Sequence, residues 1–203
     1  MLKLYYSPGA CSLSPHIALR EAGLDFELVQ VNLKEKKTKS GEDFLKINPK
    51  GYVPALALND GYVLTEGPAI VQWVADQKPA TGIAPANGTP ERYRLQEWLT
   101  FIGTEIHKNF SPLFNAAAPD AAKDLSRQAL VKRFAYVDEQ LAGKDYLLGA
   151  HFSVADAYLF TVTNWAGYVQ FDLKDYVNLR AHQARVAARP KVQEALKAEG
   201  LAK

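Results

Sequence analysis

The stretch "SPGACSLSPHIALREAG", residues 7–23, follows the strand-like run Leu2–Tyr6 and leads into an apolar segment, Leu13–Ala22, that reads as a short helix. Pro15 falls in its first turn, where a missing N–H costs nothing. The chain's one cysteine, Cys11, is therefore expected at or just before a helix N-terminus. The unpaired N–H groups and the positive dipole end found there favour thiolate over thiol and lower a cysteine pKa, which points to a nucleophile rather than a small buried hydrophobe. The spacing Cys11-Ser12-Leu13-Ser14 is that of a Cys-x-x-Cys redox motif with a hydroxyl in place of the second sulfur. Such a site can form a mixed disulfide but cannot resolve it internally.

Outward from this stretch, Phe26–Leu33 alternates as a second strand, which completes a βαβ unit. Gly41–Ile47 is expected to form a second helix. "YVPALAL" and "YVLT" are β-rich runs separated by Asn59-Asp60-Gly61, a composition suited to a tight antiparallel hairpin. A third helix starts around Pro68, with Ile70, Val71, Trp73 and Val74 on its apolar face. Then "KPATGIAPANGTPE", residues 78–91, is rich in Pro, Gly and small residues and reads as a linker. The expected organisation is an α/β domain over residues 1–80, a linker over 81–90 and an all-helical domain over 91–203. In the latter, Leu95, Leu99, Ile102 and Ile106 mark one helical stripe, and Leu130, Phe134, Val137 and Leu141 another. Ser153 and Asp156 have the spacing of a helix capping box. Two last helices are expected near 176–188 and 191–198, interrupted where Arg189 precedes Pro190.

Composition excludes several function classes. A chain of 203 residues with 48% hydrophobic content can bury a substantial core. Its net charge of +2 makes no field for a polyanion, so no nucleic acid is expected as a partner, and the Lys-rich stretch Lys34–Lys39 reads as a solvated loop. With no apolar signal region and no run near the ~20 apolar residues of a membrane span, a soluble cytoplasmic protein with no membrane partner is expected. One cysteine rules out an intramolecular disulfide, and four histidines without ligand spacing argue against a metal site. His16, His151 and His182 have no motif partner in sequence and are not expected to act.

The helix expected from Arg92 to about Lys108 carries a second face, Thr100, Gly103, Thr104 and His107, at i, i+3, i+4 and i+7. Gly103 costs about 1 kcal/mol against alanine in a helix interior, so close approach by a ligand or another backbone is a reason for it.

Five motifs stand in one order: "YYSPGACSLSPHIALRE", "NPKGYVPAL", "LTEGPAIVQW", "EWLTFIGTEIHKNFSPLF" and "SVADAYLFTV". On these the chain resembles the bacterial beta-class glutathione transferases from Met1 to about Lys203. The resemblance implies a thioredoxin-like βαβαββα domain that binds glutathione, followed by a helical-bundle domain that shapes the pocket for an electrophile, in a homodimer. It implies glutathione as co-substrate, with no further cofactor and no metal. It also implies roles: Glu66 facing the ligand ammonium, the N–H of Gly67 receiving the γ-glutamyl carboxylate, and Lys36 meeting the glycyl carboxylate. A cis bond before Pro54 would turn the Val53 backbone toward the ligand's cysteinyl residue. His107 would lie near the reactive sulfur, with Thr104, Glu105 and Ile106 in the same ligand-facing segment, and Thr100 stands where relatives often carry asparagine. The implied activity is conjugation of glutathione to hydrophobic electrophiles such as halogenated aromatics, a detoxifying reaction. Phe110, Phe114, Trp165 and Tyr168 suit a flat apolar acceptor. The alternatives are a glutathione-dependent thiol-disulfide oxidoreductase and a non-catalytic ligand-binding dimer. Retention of Cys11 weighs against the last.

Overall fold

The computed structural model describes residues 1–202, which form two compact units, one of residues 1–84 together with 189–202 and one of residues 85–188. The division lies between Ala84 and Pro85. Residues 189–202, read from sequence as part of the helical domain, cluster with the first unit.

In the first unit the order is β1 (Leu2–Tyr6), α1 (Leu13–Glu21), β2 (Phe26–Asn32), β3 (Lys37–Thr38), α2 (Phe44–Ile47), β4 (Ala55–Ala57), β5 (Val63–Thr65) and α3 (Gly67–Gln77). The sheet runs β3-β2-β1-β4-β5, with β1 parallel to β2 and the other pairs antiparallel. Leu4 pairs with Leu28 on one side and Leu56 on the other, so β1 is central. Alternation along β1 then splits the core in two. Tyr5 packs with Val31, Phe44, Val53 and Ala55 on the α2 side, whereas Tyr6 faces the ring of His16 on α1.

Two expectations shift. Lys37–Thr38 is a short edge strand rather than loop, because its backbone pairs with Val31 and Asn32. The second helix begins at Phe44, three residues later than expected, since Gly41 turns left-handed at φ +92 and Asp43 caps the helix by accepting from the Leu45 N–H. The hairpin turn forms as read, with Asp60 accepting from the Tyr62 N–H and Gly61 at φ +89.

Helix α1 is buried at every position from Leu13 to Leu19. The reason is that two helices cover it: α3, and the chain's last helix, α10 (Pro190–Ala198), whose Val192 and Ala195 are fully buried. Arg189 at the entry to α10 reaches Glu21 at the end of α1 through two hydrogen bonds of 2.6 and 2.8 Å.

The second unit holds α4 (Pro90–Phe101), α5 (Lys108–Phe114), α6 (Asp120–Gln140), α7 (Val154–Thr163), α8 (Trp165–Tyr168) and α9 (Val177–Ala187). All ten positions of α7 are buried, and α4, α8 and α9 pack around it. The capping box forms: Asp156 accepts from the Ser153 N–H and hydroxyl at 2.8 and 2.7 Å.

The helix expected to run unbroken from Arg92 to Lys108 does not. A wide π-helical turn, Ile102–His107, separates α4 from α5. Pro112 inside α5 lacks an N–H and crowds the carbonyl one turn back. The Asn109 side chain donates to the Glu105 carbonyl at 2.7 Å, which a regular helix would give to a backbone N–H. Thr100 and Thr104 likewise donate to the carbonyls of Gln96 and Thr100, at 2.8 and 3.0 Å, a habit that bends helices. No helix among the described residues is long and apolar enough to cross a membrane.

Candidate active site

The site residues of the first unit hang on one loop, Asn48–Pro54. Asn48 shapes it, donating from Nδ2 to the Tyr52 carbonyl at 2.8 Å and accepting from the Lys50 N–H at 3.2 Å. Gly51 suits the turn because its φ is +69; a Cβ would also sit 3.0 Å from Leu45 Cδ2, the far end of an exposed side chain that can give way. The Val53–Pro54 bond is cis. Two carbonyls and two side chains of this loop then collect the residues singled out in sequence. Cys11 Sγ donates to the Val53 carbonyl at 3.2 Å, and Lys36 Nζ to the Gly51 carbonyl at 2.6 Å. The Tyr52 hydroxyl and Lys50 Nζ both donate to Glu66 Oε1, at 3.0 and 2.6 Å. Cys11, Lys36, Val53, Pro54 and Glu66 are thus brought together.

Lys36 and Glu66 share an unusual backbone. Their φ values are +56 and +69, positive like that of Gln170 at +53 and uncommon for residues other than glycine. Glu66 precedes Gly67, the first residue of α3, and its carbonyl accepts from the N–H groups of Ala69 and Ile70. At Gly67 a Cβ would meet only ordinary contacts, Pro54 Cγ at 3.9 Å and Ser14 Oγ at 4.0 Å, so glycine is not sterically required. The hydrogen bond with Glu66 holds the Lys50 pKa above its ordinary value. Tyr52 is also raised, first by burial and then by that carboxylate.

Cys11 lies two residues ahead of α1, half-buried, on a loop closed at both ends. Ser12 Oγ bonds the Ser7 N–H and carbonyl, each at 3.2 Å. The Gly9 N–H donates to Glu199 Oε2 at 2.9 Å. Glu199 Oε1 in turn faces His16 Nδ1 at 2.8 Å, both side chains fully buried. Arg20 Nε donates to His16 Nε2 at 2.8 Å. A guanidinium only donates, so Nε2 is the acceptor, Nδ1 carries the proton, and the imidazole is neutral. Sequence reading passed over His16 and Glu199. One signal existed: an acid in the last turn of a helix opposes the dipole, so Glu199 needed a partner elsewhere.

In the second unit the wide turn ends at His107. Its Nδ1 lies 2.6 Å from the Tyr158 hydroxyl on α7, and its ring meets Trp165 edge-on at 4.8 Å. Tyr158 and Trp165 are buried, with Trp165 also against Phe110 and Phe114. Tyr158 was missed, although a phenol in a largely apolar helix needs a polar partner once buried. The neighbours of His107 are occupied differently. Glu105 Oε2 is held by Arg133 on α6 at 2.8 and 2.7 Å, and Ile106 is fully buried in the core. Thr100 and Thr104 are exposed and bonded back to their own helix. Phe114 and Tyr168 are exposed. Among the described residues no three His, Cys, Asp or Glu side chains gather as a metal site would need.

Known proteins bear on both units. Residues 1–76 match the family model described as the N-terminal domain of glutathione S-transferase, and residues 101–190 that of its C-terminal domain. The chain is 49% identical over 201 residues to the glutathione S-transferase GstA of Escherichia coli O157:H7, covering 98% of this chain and all of that one. A solved structure described as a ternary complex of BphK, a bacterial transferase, superposes with a TM-score of 0.97 at 62% identity, over 98% of this chain and all of that one. The bacterial beta-class transferase of Sphingomonas chungbukensis does so with a TM-score of 0.95 at 50% identity and the same coverage. The chain belongs to the glutathione transferase family, is similar throughout to its bacterial beta class, and is an enzyme with glutathione as co-substrate.

Proposed function

We propose that the enzyme joins the glutathione thiol to hydrophobic electrophiles, halogenated aromatics among them, and that Cys11 forms a mixed disulfide with glutathione. The observation that carries this is Cys11 Sγ at 3.2 Å from the Val53 carbonyl, beside the cis bond. Pairing of the ligand's cysteinyl backbone with Val53 would bring the two sulfurs together. In this reading Glu66 takes the ligand ammonium, the Gly67 N–H the γ-glutamyl carboxylate and Lys36 the glycyl carboxylate. His107, held through Nδ1 by Tyr158, handles a proton at the sulfur. Phe114 and Tyr168, both exposed, supply flat apolar surface for the acceptor, with the buried Trp165 backing Phe114, and Thr100 and Thr104 lie on the helical segment of His107. The working form is a cytoplasmic homodimer in detoxification.

A second reading, thiol-disulfide exchange, draws on Cys11 itself, and because Ser14 stands where a resolving sulfur would be, external glutathione has to discharge the mixed disulfide. The test separates them. Oxidised glutathione should add one tripeptide per chain by intact mass, absent in Cys11→Ser and discharged by excess reduced glutathione. Conjugation of an aromatic halide is then compared in both proteins. Loss of both activities in Cys11→Ser assigns the sulfur to both. Retained conjugation with lost exchange assigns it to exchange alone, and a wild type that takes up no glutathione removes the mixed disulfide.

A further inference from the structure

Lys50 has no role in the assignment above, yet its side chain lies on Glu66. Nζ donates to Glu66 Oε1 at 2.6 Å and to Thr65 Oγ1 at 2.9 Å, and the Tyr52 hydroxyl donates to the same carboxylate oxygen at 3.0 Å. Lys50 and Glu66 are 45% and 55% exposed, so both charges are open to a ligand, and an exposed pair is cheap to open. The loop geometry fixes where the lysine starts: Asn48 accepts from the Lys50 N–H and holds the Tyr52 carbonyl.

We propose that Lys50 and Glu66 together form a receptor for the zwitterionic α-amino-acid head of glutathione, with Lys50 joining the Gly67 N–H on the α-carboxylate while Glu66 binds the ammonium. This rests on the assignment of Glu66 to the ligand ammonium. An α-amino acid carries its two opposite charges on one carbon, about as near each other as a hydrogen-bonded lysine and glutamate. Laid antiparallel on the protein pair, each ligand charge meets an opposite one, and two ion pairs with the ligand take the place of the single one between Lys50 and Glu66. The alternative, in which Lys50 merely occupies the ammonium's place, would make it a competitor. The two differ in sign. The hydrogen bond to Glu66 also keeps Lys50 protonated well into the alkaline range, so its charge is present at neutral pH.

The experiment is calorimetric titration of wild type, Lys50→Met, Lys50→Arg and Glu66→Gln with reduced glutathione and two analogues. One is γ-aminobutyryl-Cys-Gly, which lacks the α-carboxylate, and the other is glutaryl-Cys-Gly, which lacks the ammonium. Lys50→Met should weaken glutathione about tenfold, Lys50→Arg should recover most of it, and neither should change binding of γ-aminobutyryl-Cys-Gly. Glu66→Gln should weaken glutathione and leave glutaryl-Cys-Gly unchanged. If Lys50→Met binds glutathione equally or more tightly, or loses both ammonium-bearing ligands alike, the receptor role of Lys50 is overturned while that of Glu66 stands. If Glu66→Gln binds glutathione as wild type does, the underlying assignment falls first and the proposal with it.

Discussion

Each unit buries one histidine against one carboxylate, and the two pairs differ in what lies beyond them. In the first unit His16 faces Glu199 at 2.8 Å, and in the second His182 Nε2 faces Asp156 Oδ1 at 2.9 Å, all four side chains fully buried. His16 is bonded at both nitrogens, since Arg20 donates to the other one, and Glu199 extends the chain to Gly9, two residues from Cys11. His182 stops at Asp156: its Nδ1 is buried without a hydrogen-bond partner. Asp156 instead is saturated by four donors, the Leu147 and Ser153 N–H groups, the Ser153 hydroxyl and His182. One pair therefore braces a site loop, and the other anchors a helix start.

The comparison predicts unequal costs. Asp156→Ala should cost the most, about 4–5 kcal/mol, because it leaves four buried donors unpaired and removes the cap of the most buried helix. Urea unfolding read in both units would show it, and a loss below about 1 kcal/mol would break the anchor reading. Glu199→Ala should cost less, about 2–4 kcal/mol, since two donors are orphaned, His16 Nδ1 and the Gly9 N–H. It should also change the alkylation rate of Cys11, which Asp156→Ala in a still-folded protein should not. Equal effects on the thiol would erase the distinction between brace and anchor.

Such pairs show what sequence can and cannot supply. The fold was legible because periodicity is local: β1, α1, β2, the hairpin and the capping box were each readable within about ten residues. Cys11, Val53 and Glu66 were legible through motifs, but their meeting on the Asn48–Pro54 loop is a property of the folded chain. Glu199 lies 183 residues from His16, so nothing in either stretch could name the other. The wide turn at Ile102–His107 was hidden for a different reason. Gly103 and Pro112 were visible, yet the apolar stripe Leu95, Leu99, Ile102, Ile106 keeps regular helical spacing into it, and the Asn109 bond that supports it involves a side chain with no periodic signature.

A middle-sized effect belongs to Lys36. Its Nζ leans on the Gly51 carbonyl, a hydrogen bond that glycyl carboxylate binding would supplement or replace. Lys36→Met should raise KM for glutathione about tenfold and leave kcat within about twofold, because the interaction is equal in ground and transition states. Steady-state kinetics with varied glutathione decides it. An unchanged KM with a collapsed kcat would move Lys36 from binding to the reacting sulfur, and the site loop would need a different division of labour.

The smallest effect returns to the brace and appears only in alkali. Tyr6 is held above its ordinary pKa first by burial and then by the negative charge of Glu199. Both favour the neutral phenol in the folded chain. A group whose folded pKa is raised contributes its full stability below the unfolded pKa of about 10 and loses it as pH rises through the folded value, because the unfolded chain releases the proton first. Stability should therefore fall with pH above about 10, and Tyr6→Phe should soften that fall without altering stability at neutral pH by more than the hydroxyl itself contributes. Glu199→Gln should lower the Tyr6 pKa toward its ordinary value, read from the ultraviolet absorbance of tyrosinate against the Tyr6→Phe background. Tyr176, a raised tyrosine of the second unit, owes its shift to burial and then to Asp175 and Asp138, so the same substitution should leave it where it was. A Tyr6 titration indifferent to Glu199 would show that the carboxylate's charge is already neutralised by the His16–Arg20 chain, and the brace would then act through hydrogen bonds alone.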